Sequence, residues 1–325
     1  MQHSAALSQS RADCQEQLRL GKTMALCREE WLACPAASLV LDGLRRFGAG
    51  EDLAENPALA RLFCRAGVAR AFVDEWVTRH VAVLSGELLG QVAHAYQASR
   101  GASVISLAKS GTAELSLVCF DEVRGEFSPD PQTVQFADVE RHEAILAGSA
   151  ETLIIRRRED RVGTQSFTIE RRVFSGGDFV SHYGDREAKC VLRVQGRFVF
   201  LRLSRTNPEA GPVQQYRLSD GTLMSQASGN KRESCREMMM AVLCRMGRKD
   251  AALAIADLAI TGSDHMRWEA MRHCLSLDTA NGFRILTDMA QSVDDPLAVQ
   301  SGVLRAQLLE MHPGLGKFEV MPCRD

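Results

Sequence analysis

The chain lacks an excess of either charge. Its 39 Lys and Arg stand against 41 Asp and Glu, a net charge of −2. General nucleic-acid binding draws on a basic excess, so no nucleic-acid partner is expected. No apolar run approaches the ~18 residues of a membrane helix, and no membrane partner is expected. The first residues, MQHSAALSQSRADCQEQLRLGKTM, carry acids and no uninterrupted apolar stretch. No signal peptide is read there, and a cytoplasmic location is expected. Ten cysteines are present, but none in CxxC or CxC spacing, which removes the clustered ligands of a structural zinc site. Their scatter through apolar segments reads as small hydrophobes in a reducing compartment rather than as a disulfide framework. Several catalytic signatures are missing as well: GxxxxGK[ST] for phosphates, GxGxxG for dinucleotides, HExxH for zinc and GxSxG for a serine nucleophile.

What is there describes a globular protein of two or three domains. Hydrophobic residues make up 45% of the 325 and charged residues 25%, enough to bury a core. Residues 1–102 read as helical. Ser10 to Trp31 and Ala36 to Phe47 carry apolar residues at helical spacing, and Asn56-Pro57 is a helix start. Val68 to Val83 is the clearest helix, with Phe72, Val73, Trp76, Val77, His80 and Val81 along one side. Leu88 to Ala98 reads as a last helix.

Residues 103–220 change period. Short β-branched runs such as SVISLAKSG, TAELSLVCFDE and FTIERRVF are punctuated by Gly, Asp and Pro, the pattern of a β-sandwich or small barrel. Val191 to Phe200 reads as a hairpin turning at Gln195-Gly196 or Gly196-Arg197. Residues 221–325 are helical again, as five short amphipathic helices with brief connections. Asp264 and Asp295 stand where an acid caps a helix start. The expected fold is α+β: an N-terminal helical region, a central antiparallel β-barrel or sandwich, and C-terminal helical repeats.

The layout of Glu140-Arg141-His142, Gly148 and Gly176-Gly177-Asp178 ahead of a strand pair resembles the cupin superfamily of small jelly-roll barrels. The run DHMRWEAMRHCLSLD, with Arg267 and Ala270, resembles HEAT repeats. The cupin resemblance implies metal ligands from two motifs, and here the pattern departs from it. The first motif offers Glu140 and His142, which share a strand face at i and i+2. The second motif's histidine, counted from Asp178, falls on Ala188. His182 comes too early, in what reads as a loop. Either Glu140, His142 and His182 hold Fe, Mn or Zn, with His182 folding back, or His142 is a hydrogen-bonded strand residue and no cofactor is bound; the second is the expectation.

Arginines crowd the β-region. Strand alternation sends Arg156 and Arg158 to one face and Arg157 to the other. Together with Arg171, Arg186 and Arg193 they form either a solvated sheet face or a surface for the carboxylates of a partner. Trp268 is either core or an interface anchor. The function expected is a non-catalytic accessory protein that captures a peptide or protein. The combined resemblance implies a role such as presenting a precursor peptide in a bacterial peptide natural-product pathway. A metal-dependent cupin oxygenase or isomerase and a small-molecule sensor are the alternatives, and a homodimer stays open.

Overall fold

A computed structural model describes residues 2–85, 91–99, 101–122, 130–158, 165–229 and 231–318. Contacts divide the chain into two compact units, Met1–Pro208 with Gln215–Met224, and Glu209–Gln214 with Ser225–Asp325.

The first unit opens with four helices: α1 (Gln2–Ala33), α2 (Pro35–Gly48), α3 (Pro57–Leu62) and α4 (Ala66–Leu84). Their apolar positions recur every three or four residues and turn one stripe inward. In α2 the stripe is Ala37, Val40, Leu44 and Phe47; in α4 it is Ala69, Phe72, Val73, Trp76 and His80. Val77 and Val81, expected on the same face of α4, are exposed. The stripe packs on Leu107, Leu115, Ala144, Leu201 and Leu203 of the sheet, so helices and sheet share one core.

That sheet is antiparallel, in the order β1-β2-β3-β8-β5-β6, with β7 pairing β5 as well. Its strands are β1 (Ala95–Ser99), β2 (Ala102–Ser110), β3 (Ala113–Asp121), β5 (Val139–Arg158), β6 (Ser166–Ser175), β7 (Phe179–Tyr183) and β8 (Glu187–Thr206). The expected helix over Leu88–Ala98 is therefore corrected where it is described: Ala95–Ser99 pairs with Ala102–Ser106 as an edge strand. Residues 88–90 of that reading lie outside the described residues. The two ends of this strand order, β1 and β6, are not paired with each other among the described residues, so the sheet folds over without closing.

The fold-over lies in β5 and β8, two strands of 20 residues paired along nearly their whole length. Lys189 is opposite Ile154 in the ladder, yet its side chain reaches Glu143, eleven residues earlier on the same partner strand. Only a doubled-over ribbon allows both. The bends fall at Gly148 (φ +75°) and Gly196 (φ +68°), where the ladder slips register. A left-handed residue beside an unpaired one is a β-bulge, which bends the strand. The hairpin expected over Val191–Phe200 is thus corrected. Gly196 bends one continuous strand rather than joining two, because β5 pairs with it on both sides of the bend.

Between the two halves lies an apolar core of Ile145, Ala150, Ile154, Phe174, Val180, Val194, Phe198 and Phe200. A three-stranded sheet, β4 (Thr133–Phe136), β9 (Val213–Arg217) and β10 (Leu223–Ala227), is ordered β10-β9-β4. Val134, Phe136 and Tyr216 from it cover the outer side of the far half through Leu153, Ile155, Ala188 and Leu192.

The second unit holds α5 (Lys231–Arg245), α6 (Ala252–Thr261), α7 (Asp264–Leu277), α8 (Thr279–Gln291) and α9 (Ala298–Met311). Each of α6 to α8 packs on the next, and α5 packs on α7. Met240, Met266, Met271 and Met289 fill its core, while Met238, Met239 and Met246 are exposed. Ser263 caps α7, its Oγ accepting from the Met266 N–H, and Asp264 begins the helix. Asp295 accepts from the Leu297 N–H and ion-pairs with Arg267 of α7.

Candidate ligand-binding site

Register decides which β-domain side chains meet. In β5, Ile145 belongs to the inner core, so Glu143 and Arg141 also face inward and Glu140, His142 and Ala144 face the helices. In β7, His182 stands opposite Arg141 and Val180 opposite Glu143, so His182 faces inward too. The set Glu140, His142 and His182 is thereby split across the sheet. Strand alternation, not distance along the chain, keeps it from converging, and among the described residues no group of three His, Cys, Asp or Glu is placed to hold a metal ion. His182 itself is corrected from a loop residue to a strand residue, 5% exposed.

On the helix side, His142 is fully engaged. One ring nitrogen lies 2.8 Å from Ser181 Oγ and the other 2.9 Å from Glu140 Oε1. The rings of Phe47 and Phe63 flank it. Arg205 donates to Glu140 Oε2 at 2.6 Å and to the carbonyls of Phe47 and Glu51. The hydrogen bond from His142, with help from Arg205, holds the Glu140 carboxyl below its ordinary range against the opposing effect of burial. This network ties α2 to the sheet. A cleft of about 330 Å³ opens beside it, lined by Thr112, Asp138, Glu140, Tyr183, Arg205 and Asn207. Its carboxylates are spoken for, Glu140 by His142 and Arg205, and Asp138 by Asn207.

The inner side differs. Glu143 has no exposed side-chain surface and meets Lys189 from the facing half of the ribbon and Arg202 from its own half, the latter at 3.0 Å. Lys189 lies over the rings of Phe174 and Phe200, with its ammonium 4.7 Å from the Phe200 centroid. Burial pushes Glu143 up, but Lys189 and Arg202 outweigh it and hold the carboxyl low. Burial pulls Lys189 below its ordinary value although Glu143 resists. One inward-facing pair nearer the start of β5 stand Arg141 and His182. Among the described residues Arg141 has no hydrogen-bond or ion-pair partner, and His182 Nδ1 is enclosed without one. Burial, reinforced by Arg141, Lys189 and Arg202, carries His182 down to about 4, with Glu143 opposing, so its imidazole is neutral at neutral pH. Arg141 and Arg202 of the near wall, with Lys189 reaching across from the far wall, thus set three cations against one carboxylate. The other inward charges of the far wall are paired: Arg156 with Glu170 at 3.0 Å and Glu187 at 2.7 Å, and Arg172 with Glu170.

The expected arginine surface does not exist as one surface. Arg156 faces inward and Arg158 ends β5, exposed on the same side. Arg171 and Arg193 lie on the outer face, where Arg171 pairs with Glu151 at 2.5 Å and Arg193 stands opposite Glu151 in the ladder. Arg186 is exposed beside Asp185 in the turn after β7. Arg157, between Arg156 and Arg158, is packed under β4 and β9 against Phe136 and Tyr216. Trp268 is half-buried against the core of the second unit. Glu143, Lys189 and Arg141 are absent from the sequence-derived candidates, and Arg202 enters them only as one of the many arginines of the β-region. The one signal for them is charge at positions whose strand neighbours two residues away are core: Ile145 for Glu143, Phe200 for Arg202.

No protein-family model matches the chain, and no curated protein matches it. Solved structures do. The chain is similar to KdgF from Halomonas sp., at 14% identity over 36% of this chain and 91% of that one, with a TM-score of 0.26. It is similar to a cupin superfamily protein from Desulfitobacterium hafniense, at 17% identity over 34% and 84%, with a TM-score of 0.23. A sugar phosphate isomerase from a cupin superfamily, from Silicibacter pomeroyi, matches at 12% identity over 38% and 73%, with a TM-score of 0.24. No residue role passes from them to this chain.

Proposed function

We propose that this is a non-catalytic binding protein that captures an acidic peptide or protein segment, such as part of a precursor peptide, at the inner face of a cupin-like β-domain. One observation carries the reading: Arg141, Arg202 and, from the facing half, Lys189 stand against the single carboxylate of Glu143, and among the described residues Arg141 has no hydrogen-bond or ion-pair partner. A surplus of fixed cations in a partly dry site favours an incoming carboxylate, and guanidinium binds it through two parallel hydrogen bonds. A metal-dependent oxygenase or isomerase loses its support here, since its candidate ligands face opposite sides of the sheet. A small-molecule sensor shares the inner site and differs in the size of what enters.

Fluorescence anisotropy with a labelled hexaglutamate peptide tests the reading. The protein is expected to bind it saturably, and to bind hexaglutamine at least tenfold more weakly. Equal binding of both, or none of either, contradicts it.

A further inference from the structure

The inner site contains one more unsatisfied group than capture of a carboxylate requires. His182 is 5% exposed and its Nδ1 has no partner. A buried polar atom left without a hydrogen bond is costly, and few native atoms are left so without a reason. Arg141 lies directly opposite it across the β5–β7 ladder, on the same face. Side chains of directly opposed residues sit about 5 Å apart at their bases. A guanidinium and an imidazole nitrogen, both without partners among the described residues, therefore start from neighbouring positions on the inward face, one inward pair along from Glu143 and its partner Lys189. Arg141 is half-buried and its guanidinium reaches the backbone turn at Gly184, where a Cβ would come within 3.4 Å of Nη1. Arg141, which makes no hydrogen bond or ion pair among the described residues, is the side chain that has to move for a ligand to reach His182.

We propose that this pair reads a carboxylate with a hydrogen-bond donor a few bonds away, as at the free C-terminal end of a peptide: Arg141 takes the terminal carboxylate and His182 Nδ1 accepts from the last backbone N–H. This rests on the reading of the inner wall as an acidic-segment site and specifies which end of the segment enters. A neutral imidazole, which burial enforces with help from the neighbouring cations, has the lone pair that the acceptor role needs. A free hydroxy acid offers the same pairing of carboxylate and donor, so the test separates the two sources.

Isothermal titration of the full chain with N-acetylglycine, lactate and propionate does so, with N-acetylglycinamide as the probe lacking a carboxylate. N-acetylglycine is expected to bind at least fivefold more tightly than propionate or lactate, and the amide not to bind. Tighter binding of lactate overturns the peptide-end assignment in favour of a small hydroxy acid. Equal binding of N-acetylglycine and propionate, or of neither, overturns the role of His182; if hexaglutamate still binds, the acidic-segment reading survives that result. Two variants keep the test independent of folding. Arg141→Gln, at a half-buried position without a partner among the described residues, is expected to keep the wild-type melting temperature and lose all three acids. His182→Phe removes an unsatisfied buried atom, so its unliganded melting temperature is expected to rise while the preference for N-acetylglycine over propionate disappears. A fall in melting temperature with the preference intact shows His182 to be a structural residue and overturns the proposal.

Discussion

Glu143 and Lys189 show how a single buried pair fixes both shape and chemistry. They join the two halves of the folded ribbon through a dry interior, and each favours the charged form of the other against burial. Removing one partner leaves an uncompensated buried charge, which costs about 3–5 kcal/mol. Lys189→Met is therefore expected to destabilise the first unit by about that amount in urea denaturation, whereas the double variant Glu143→Met/Lys189→Met recovers most of the loss. Equal destabilisation by the single and double variants would argue against a coupled pair. Two histidines set the acid limit. Burial lowers His182 to about 4, and it does the same for His94, where His80 and Arg28 add to the effect. His94 accepts from Trp76 Nε1 at 3.4 Å, and the His80 and His94 rings are 5.1 Å apart in a site enclosed by Trp31 and Trp76. Between an ordinary value of 6.5 and about 4 the unfolded chain binds protons that the folded chain refuses. Stability is present above that window and is lost as pH falls through it, by about 1.4 kcal/mol per pH unit for each group. Chemical denaturation from pH 7 to pH 4.5 is expected to show this slope, and His94→Gln to flatten it; a pH-independent midpoint would contradict the assignment.

At the scale of elements, the two bends carry the β-domain. A Cβ on Gly148 would lie 2.0 Å from the Arg197 carbonyl oxygen, while one on Gly196 meets nothing within 4 Å. Both glycines have positive φ. Gly196→Ala is expected to cost the conformational penalty alone, about 1–2 kcal/mol. Gly148→Ala must also displace backbone, and is expected to yield little folded protein or a melting temperature lower by well over that of Gly196→Ala; similar melting temperatures for the two would refute the close packing at the bend. These elements also show what a sequence displays and what it hides. The helices Asp264–Leu277 and Thr279–Gln291 follow their periodicity almost to the residue, and Ala102–Ser110 and Ala113–Asp121 match their β-branched runs. The Val191–Phe200 segment misleads because a left-handed glycine looks the same in a hairpin turn and in a bulge. What separates them is a partner strand more than forty residues away. The faces of His142 and His182 are hidden for the same reason. Their parity is set by the β5–β7 register, and one residue of slip would have put them on one side.

The whole molecule combines a helix-backed β-domain and a helical unit, each with its own core. The clusters around the helices, between the ribbon halves and under β4 and β9 all lie in the first unit, and one cluster of fifteen buried residues lies in the second. No described helix is long and apolar enough to cross a membrane. Most surface arginines are matched by acids, so neither net charge nor arginine number points to a site. The inner wall stands apart because its cations outnumber its acids where water is scarce. The central claim is that this wall, rather than the outer arginines, takes the acidic partner. It is tested most directly by hexaglutamate affinity measured side by side for Arg141→Gln on the inner face and Arg171→Gln and Arg193→Gln on the outer face. The account predicts at least a tenfold loss for Arg141→Gln and less than a twofold change for the other two. Loss with the outer variants and wild-type affinity for Arg141→Gln would contradict it.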